Sequence, residues 1–535
     1  MKKSKVFLLA AVGLLSVGVL TACSSSSKTS GKTYNYVYGS DPATLDYLAT
    51  NKKNMTTAVS NGVDGLFEND QYGNLKPSVA EDWSVSQDGL TYTYKIRKGL
   101  KWYTSDGEEY ANVTAKDFVT GLKHAADTNS EAIYLLQNSV KGLNDYLSGA
   151  NKDFSNVGIK AVDDYTLQYT LSQPEPYWNS KLTYSVTWPV NGDFLKSKGK
   201  DFGKSTDPTS ILYNGPYLLK ALTTKSSIEF TKNENYWDKD HVYFDNIKLT
   251  YDDGSDQESL ERNFTDGVYN LARLFPTSSN YSKVEKQYKD NIFYTQPGSA
   301  VEGVGINIDR QTYGHTSKEN DQQKTSTKTA LLNKDFRQSL GFAIDRTNYA
   351  AQLNGKEGGS TAVRNIFVKP DFVQADGKDF GTMVMDQLPA YGDEWSGVNL
   401  ADSQDGLYNP EKAKAEFAKA KEALQAEGVQ FPIHLDVPVN QSSKITVNQV
   451  QSIKQSVESA LGKDNVVLDI HQLSADDFNN ITYSAPNAAA EDWDLSVGVA
   501  WDPDYLDPST YLDVLKTTSS ENTKSFMGYD DPNSQ

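Results

Sequence analysis

The chain has 535 residues, with 52 Lys and Arg against 70 Asp and Glu, which gives a formal net charge of −18. This length exceeds what one hydrophobic core supports, so two or more lobes are expected. Hydrophobic residues make up 38% and charged residues 23%, which argues against global disorder. The acidic charge disfavours nucleic acid as a partner, because phosphates require a basic surface. A solvated surface explains this charge without any partner.

The first residues have the pattern of a secretion signal. Three lysines within the first five residues precede an apolar run from Val6 to Leu20, which is shorter than a typical transmembrane helix. The run ends in Leu20-Thr21-Ala22-Cys23, which is similar to a bacterial lipobox. This similarity implies that residues 1–22 are a signal peptide and that Cys23 carries a lipid. The alternative is an ordinary signal peptide followed by a chance cysteine.

Cys23 is the only cysteine in the sequence, which excludes an internal disulfide. The residues that follow it, SSSSKTSGK, are polar and flexible, so we expect residues 23–32 to form a lipid-anchored tether. No later stretch reaches eighteen consecutive apolar residues, and a second membrane anchor is therefore not expected.

The first part of the mature chain contains strand patterns. Tyr34 to Tyr38 reads as a short aromatic strand that ends at Gly39 and the Asp41-Pro42 turn. Residues 83–85 and 90–96 flank Asp88-Gly89, and the second run alternates apolar and polar side chains. Since Asp-Gly tolerates the positive φ angles of a tight turn, this pattern predicts a β-hairpin.

A β-α-β pattern lies further along the chain. Asn409 and Pro410 mark the start of a helix whose apolar stripe is formed by Ala413, Phe417, Ala420 and Leu424. Two predicted strands, 433–437 and 466–470, then flank a predicted helix over 445–461, with Val447, Val450, Ile453 and Val457 facing inward. This order predicts a mixed α/β fold with a parallel pair and a right-handed crossover. Ligands of such sheets sit beyond the carboxyl ends of the strands.

Motifs for catalysis or metal binding are missing from the sequence. There is no G-x-S-x-G elbow, and none of the five histidines (124, 241, 315, 434 and 471) lies within a helical turn of another, which excludes the H-E-x-x-H type of zinc site. Asp502, Asp504 and Asp507 do not have the spacing of a calcium loop. We therefore predict no catalytic residues, no metal and no cofactor. An enzyme whose catalytic groups are far apart in sequence stays as an alternative.

Several stretches resemble, in the same order, the peptide/nickel family of ABC-transporter substrate-binding proteins, solute-binding family 5. The stretches that carry the resemblance are 41–46 (DPATLD), 79–102, 114–118 (TAKDF), 215–217 (GPY), 233–237 (NENYW), 335–340 (DFRQSL) and 343–346 (AIDR). Together they extend over nearly the whole mature chain. Within the family the chain is most similar to the streptococcal oligopeptide-binding lipoproteins of the Ami/Ali group, with residues 501–512 (WDPDYLDPSTYL) in support.

The resemblance implies an α/β fold of the type II periplasmic-binding-protein class. Two lobes with mixed sheets flanked by helices are joined by a hinge, and the first lobe carries an extra subdomain. We expect lobe I at 33–65 and 201–300, its subdomain at 66–200 and lobe II at 301–535. Family members continue past the 501–512 motif and return a segment to the first lobe. We therefore expect this return segment to be missing here and lobe II to be incomplete at its C-terminus, which would affect closure and binding.

The resemblance also implies a function and its residues. The protein would be an extracellular, lipid-anchored receptor that closes over oligopeptides and delivers them to the permease subunits of an ABC importer. A monomer is the default expectation. Asp504 would pair with the α-ammonium of the peptide, beside Trp501, Asp502, Pro503 and Tyr505. Lys53 and Asn54 would line the other side. A receptor for many peptides must bind what they share, namely the main chain and a charged terminus.

Alternative roles stay open for these residues and for the chain. The Asp504 carboxylate could belong to a surface turn, and Trp501 could serve core packing. The same fold could also sense signal peptides or bind another solute. A truncated surface protein that binds nothing is a further alternative.

Overall fold

The computed structural model describes residues 32–276, 278–293, 298–516 and 523–530. The predicted signal peptide, Cys23 and residues 24–31 of the predicted tether lie outside the described residues. Among the residues that are described, no helix is long and apolar enough to cross a membrane.

The described residues contain eighteen β-strands, most of them short. The strands are β1 (Thr33–Tyr38), β2 (Phe67–Asn69), β3 (Leu75–Pro77), β4 (Ala80–Val85), β5 (Thr91–Ile96), β6 (Lys101–Tyr103), β7 (Glu109–Asn112), β8 (Ile159–Asp163), β9 (Thr166–Thr170), β10 (Tyr217–Thr223), β11 (Ser227–Lys232), β12 (Asn246–Tyr251), β13 (Val301–Ile306), β14 (Gln374–Ala375), β15 (Lys378–Asp379), β16 (Ile433–Asn440), β17 (Val466–Leu473) and β18 (Leu495–Trp501).

The same residues contain seventeen α-helices, joined by several short 3₁₀ turns. The helices are α1 (Lys53–Val59), α2 (Ala115–Asp127), α3 (Tyr134–Gln137), α4 (Leu143–Leu147), α5 (Trp178–Lys181), α6 (Gly192–Lys198), α7 (Ser259–Thr265), α8 (Tyr281–Gln287), α9 (Asp321–Leu332), α10 (Lys334–Ala343), α11 (Arg346–Gly359), α12 (Phe380–Gln387), α13 (Pro410–Ala426), α14 (Lys444–Leu461), α15 (Ala475–Asn480), α16 (Ser509–Leu512) and α17 (Thr523–Met527).

The chain divides into two compact units. The first comprises the described part of Met1–Gln173 with Leu182–Ser255 and Asp266–Leu271. The second comprises Pro174–Lys181, Asp256–Thr265 and the described part of Ala272–Gln535. These limits differ from the predicted lobes mainly at 174–181, 256–265 and 272–300, which join the second unit. The predicted subdomain and the predicted lobe limits stay predictions.

The first unit contains two four-stranded sheets. In one, β1 runs parallel to β12, and β11 and β10 follow antiparallel. In the other, the antiparallel order is β4-β5-β9-β8. Tyr92, Tyr94 and Ile96 of β5 are buried while the residues between them are less so, and this alternation places one face of the sheet in the core. The predicted aromatic strand and the predicted hairpin are both confirmed.

The hairpin differs from its prediction at the start of both strands, since β4 begins at Ala80 and not at Trp83. The Gly89 φ of +72° allows the turn, and the Gly89 N–H donates to the Ser86 carbonyl at 2.9 Å. The Leu90 N–H donates to the Asp88 carboxylate at 3.1 Å, so β5 begins at Thr91 and not at the predicted Leu90.

In the second unit, the predicted strand-helix-strand order and the parallel pair are confirmed, and the handedness of the crossover stays a prediction. Strands β16 and β17 pair in parallel, from Ile433 opposite Val466 to Asn440 opposite Leu473, and α14 connects them. The predicted stripe of α13 is buried, and so are Val450, Ile453 and Val457 of α14. Val447 is only half-buried and packs at the edge of this core.

A buried charged cluster lies beside these strands. The Arg310 guanidinium contacts Asp436 at 2.7 Å, Asp492 at 2.8 Å and Asp494 at 3.0 Å. The Lys318 ammonium contacts Asp436 at 2.6 Å and also pairs with Asp494. All five side chains are at most 3% exposed. Because an unpaired buried charge is costly, this cluster fixes the 310–318 loop against β16 and the start of β18.

Candidate functional site

The predicted site segment follows directly from strand β18. This strand pairs antiparallel with β13, with Trp501 opposite Val301. The pairing shifts by one residue at Gly498, whose φ is +86°. A left-handed glycine that adds one residue to a strand is typical of a β-bulge, which redirects the side chains beyond it. The bulge therefore sets which side of the strand Trp501 occupies.

Trp501 takes part in packing. Its indole N–H donates to the Thr510 carbonyl at 2.7 Å, and its ring lies 6.4 Å from the Phe526 ring. It also packs against the small apolar cluster of Val301, Val368 and Tyr511. The packing role left open for this residue is therefore present in the structure. These contacts hold the 502–510 loop to the end of β18.

The next residues form a turned loop that is fixed by local hydrogen bonds. The exposed Asp502 accepts from the Ser299 hydroxyl at 3.0 Å, and Pro503 after it is half-buried. The Asp504 backbone N–H donates to the Thr510 hydroxyl at 2.8 Å. The carboxylate that caps the turn before α16 is that of Asp507, which accepts from the Ser509 N–H at 2.9 Å. Asp504 is thus held in the loop by its backbone.

Residues 174–181 dock on this loop, although they are more than 300 positions away in the sequence. The Leu506 N–H donates to the Ser180 hydroxyl at 3.1 Å. The Tyr177 and Tyr505 rings stack with centroids 4.9 Å apart and 21° between their planes. Sequence reasoning missed this segment, and nothing in its composition points to the loop it contacts.

A buried lysine lies near both rings of the Tyr177–Tyr505 pair. The Lys181 ammonium lies 4.6 Å from the Tyr505 ring centroid and 5.4 Å from that of Tyr177, within the range of cation–π attraction. It pairs with Glu175 at 3.0 Å, and the two side chains are only 6% and 4% exposed. The pair is therefore almost entirely removed from water, where its charges act strongly on their neighbours.

Burial and the surrounding charges shift the pKa values in this group. Burial lowers the pKa of Lys181, against the raising effects of Glu175 and Asp504. Burial raises the pKa of Tyr505, the hydrogen bond with the Ser509 hydroxyl lowers it, and the charges of Asp513, Asp507 and Asp504 raise it. Carboxylates thus predominate among the charges that act on this loop. An arrangement of two stacked rings with nearby carboxylates can attract an ammonium group.

Lys53 and Asn54 belong to the first unit, at the start of helix α1. The Asn54 amide nitrogen donates to the Asp41 carbonyl at 2.8 Å, and its oxygen accepts from the Met55 N–H at 2.9 Å. The Lys53 carbonyl accepts from the hydroxyls of Thr56 and Thr57. Asn54 therefore joins α1 to the 41–46 turn. A role of these two residues in binding stays a prediction.

Over the described ranges, no group of three His, Cys, Asp or Glu side chains is arranged to hold a metal ion.

Comparison with known proteins decides the family. The model of "Bacterial extracellular solute-binding proteins, family 5 Middle" matches residues 74–523. The chain belongs to this family.

Relatives in family 5 match the chain along its whole length. The oligopeptide-binding protein AmiA of Streptococcus pneumoniae is 68% identical over 100% of this chain and 82% of its own length. The oligopeptide-binding protein SarA of Streptococcus gordonii is 60% identical over 99% of the chain and 81% of its own. The predicted resemblance to the Ami/Ali group is thereby confirmed.

A solved structure supports the fold. The structure of Listeria monocytogenes OppA bound to peptide superposes with a TM-score of 0.62 at 25% identity, over 93% of this chain and 86% of that one. The prediction of a type II periplasmic-binding-protein fold is confirmed by this likeness and by the mixed α/β architecture.

Proposed function

We propose that this protein binds oligopeptides outside the cell and delivers them to the permease subunits of an ABC importer. The observation that carries the proposal is the 68% identity to the oligopeptide-binding protein AmiA across the entire chain. Family 5 is a family of solute-binding proteins, and binding and release of the peptide would require no covalent step.

The loop after β18 is the proposed recognition site for the amino end of the peptide. Trp501 fixes the loop through the Thr510 carbonyl, and Tyr505 adds an aromatic face. Asp504 would accept charge-assisted hydrogen bonds from the α-ammonium, each worth about 1.5–3 kcal/mol. Asp502 and Pro503 would lie along the first peptide residues, and Lys53 and Asn54 would line the other side of the peptide.

The cellular setting is proposed from the N-terminal sequence. The run ending in Leu20-Thr21-Ala22-Cys23 supports export and lipid attachment at Cys23, which would hold a monomer at the outer face of the cell membrane.

Removal of the Asp504 carboxylate tests the site. We expect Asp504→Ala to weaken binding of peptides with free amino ends by about 2–5 kcal/mol, because the α-ammonium of the enclosed peptide would lose its charged partner. N-acetylated peptides of the same sequences should lose little. Calorimetry with both peptide forms measures the difference.

A carboxylate outside this loop provides the matched control. Asp321 is 95% exposed and pairs with Lys324 at 2.9 Å. Asp321→Asn should leave the preference for free amino ends intact. An equal loss for both peptide forms in Asp504→Ala would remove Asp504 from this role.

A further inference from the structure

The loop after β18 faces a positive charge that belongs to the protein itself. Tyr505, whose ring covers the Lys181 ammonium at 4.6 Å, directly follows Asp504 in the sequence. The hydrogen bond between Leu506 and Ser180 fixes the same two segments on the other side of Tyr505. Lys181 is therefore held against Tyr505, the residue that directly follows Asp504, and Asp504 is proposed to receive the ligand ammonium.

Glu175 is the counter-charge that is fixed on Lys181. The Glu175 carboxylate lies 3.0 Å from the ammonium, three residues before the start of the short helix α5 that contains Lys181. Both side chains are nearly inaccessible to water, so their mutual attraction is screened little. Asp504 also acts on Lys181, since its charge raises the pKa of the ammonium. Glu175 and Asp504 therefore both interact electrostatically with Lys181.

We propose that the Glu175 charge sets how strongly Lys181 competes with a ligand ammonium for Asp504. Glu175 is a positioning residue in this scheme, and Lys181 is an internal competitor of the ligand. The inference rests on the proposed function, because it assumes that Asp504 receives the amino end of a peptide.

Opposite effects of two single variants follow from this competition. In Glu175→Gln, Lys181 loses its counter-charge and interacts more strongly with Asp504, so free amino ends should bind more weakly. In Lys181→Met, the competitor is gone while both carboxylates remain, so free amino ends should bind more tightly. The double variant removes both charges and should return close to the wild-type affinity.

The test uses a synthetic nonapeptide library with free amino ends and the same library N-acetylated. Calorimetry gives an apparent Kd for each library with the purified full-length protein. We expect Glu175→Gln to raise the Kd of the free-amine library about 10-fold and the double variant to restore it within about 3-fold. The Kd of the acetylated library should change less than about 3-fold throughout. Glu411→Gln, at a side chain 83% exposed, is the matched control.

The outcomes separate this inference from the proposed function. If Glu175→Gln weakens both libraries alike, or if the double variant fails to restore binding, the pair has only a structural role and the inference is wrong. If Asp504→Ala weakens the binding of both libraries equally, the proposed ammonium site itself is wrong. If a thermal melt of Glu175→Gln shows no unfolding transition, the test relies on Lys181→Met and the double variant. The ratio of free-amine to acetylated binding in these two variants then decides the inference.

Discussion

Two buried carboxyl groups of this protein, Asp436 and Glu491, have pKa values that are shifted in opposite directions. Asp436 accepts hydrogen bonds from Arg310, Lys318, Thr316, the Ser317 N–H and His471. Although burial raises its pKa, these donors and charges outweigh burial and hold the pKa of Asp436 far below its usual range. Glu491 is fully buried with a hydrogen bond from the Trp493 indole, and burial raises the pKa of Glu491 to about 8.

Asp436→Asn should destabilise the second unit. Five donors converge on two carboxylate oxygens, and an amide offers one oxygen and points its NH₂ at the remaining donors. We expect a loss of about 3–5 kcal/mol in the free energy of unfolding, measured by urea denaturation. Asp321→Asn, in a pair whose carboxylate is 95% exposed, should change it by less than about 0.5 kcal/mol. Equal stability of the two variants would contradict the importance assigned to the cluster.

The stability conferred by Glu491 should depend on pH. A carboxyl group whose folded pKa is raised favours folding while protonated, so its contribution is complete below the unfolded pKa of about 4.3 and is lost as the pH rises through about 8. We expect Glu491→Gln to match the wild type near pH 4.5 and to exceed it by a few kcal/mol above pH 8, on the order given by linkage. Chemical denaturation at several pH values measures this difference. A difference that does not change with pH would contradict it.

Among the elements, those with a strong local pattern could be predicted from the sequence. The α13 stripe, β16, α14 and β17 repeat apolar residues at helical or strand spacing, and the structure confirms each within a few residues. The 174–181 segment could not be predicted, because its role comes from contacts with Tyr505 and Leu506, far along the chain. The same holds for Glu175 and Lys181, whose importance depends on burial and not on a motif.

The start of α13 offers an element-scale prediction. The Asn409 side chain accepts from the Lys412 N–H at 3.0 Å and satisfies one of the free amides of the first turn. We expect Asn409→Ala to lower the free energy of unfolding by about 1 kcal/mol. Thermal or urea denaturation checks the value, with Lys414→Ala on the exposed face of the same helix as the control. The capping role is wrong if both variants have the stability of the wild type.

On the scale of the whole molecule, the proposed anchor depends on one atom, the Cys23 sulfur. Cys23→Ser removes the only thiol in the sequence. We expect this variant to lose incorporation of labelled palmitate and to move from the membrane fraction to the medium. The reason is that the chain then carries no lipid whose apolar surface can insert into the membrane. Fractionation of cells that express each form checks the outcome. Retention of Cys23→Ser in the membrane fraction would show that another feature holds the protein there.

The Gly498 bulge makes residue count in β18 as important as residue identity. Gly498 is the residue of β18 that has no partner on β13, while Val497 and Val499 on either side of it pair with the consecutive residues Val304 and Gly303. A chain that lacks Gly498 would therefore keep Trp501 opposite Val301, whereas one residue inserted between Val499 and Trp501 would shift Trp501 out of that pair and turn its side chain to the other side of the strand. Related sequences should accordingly carry a gap at Gly498 more readily than an insertion after it.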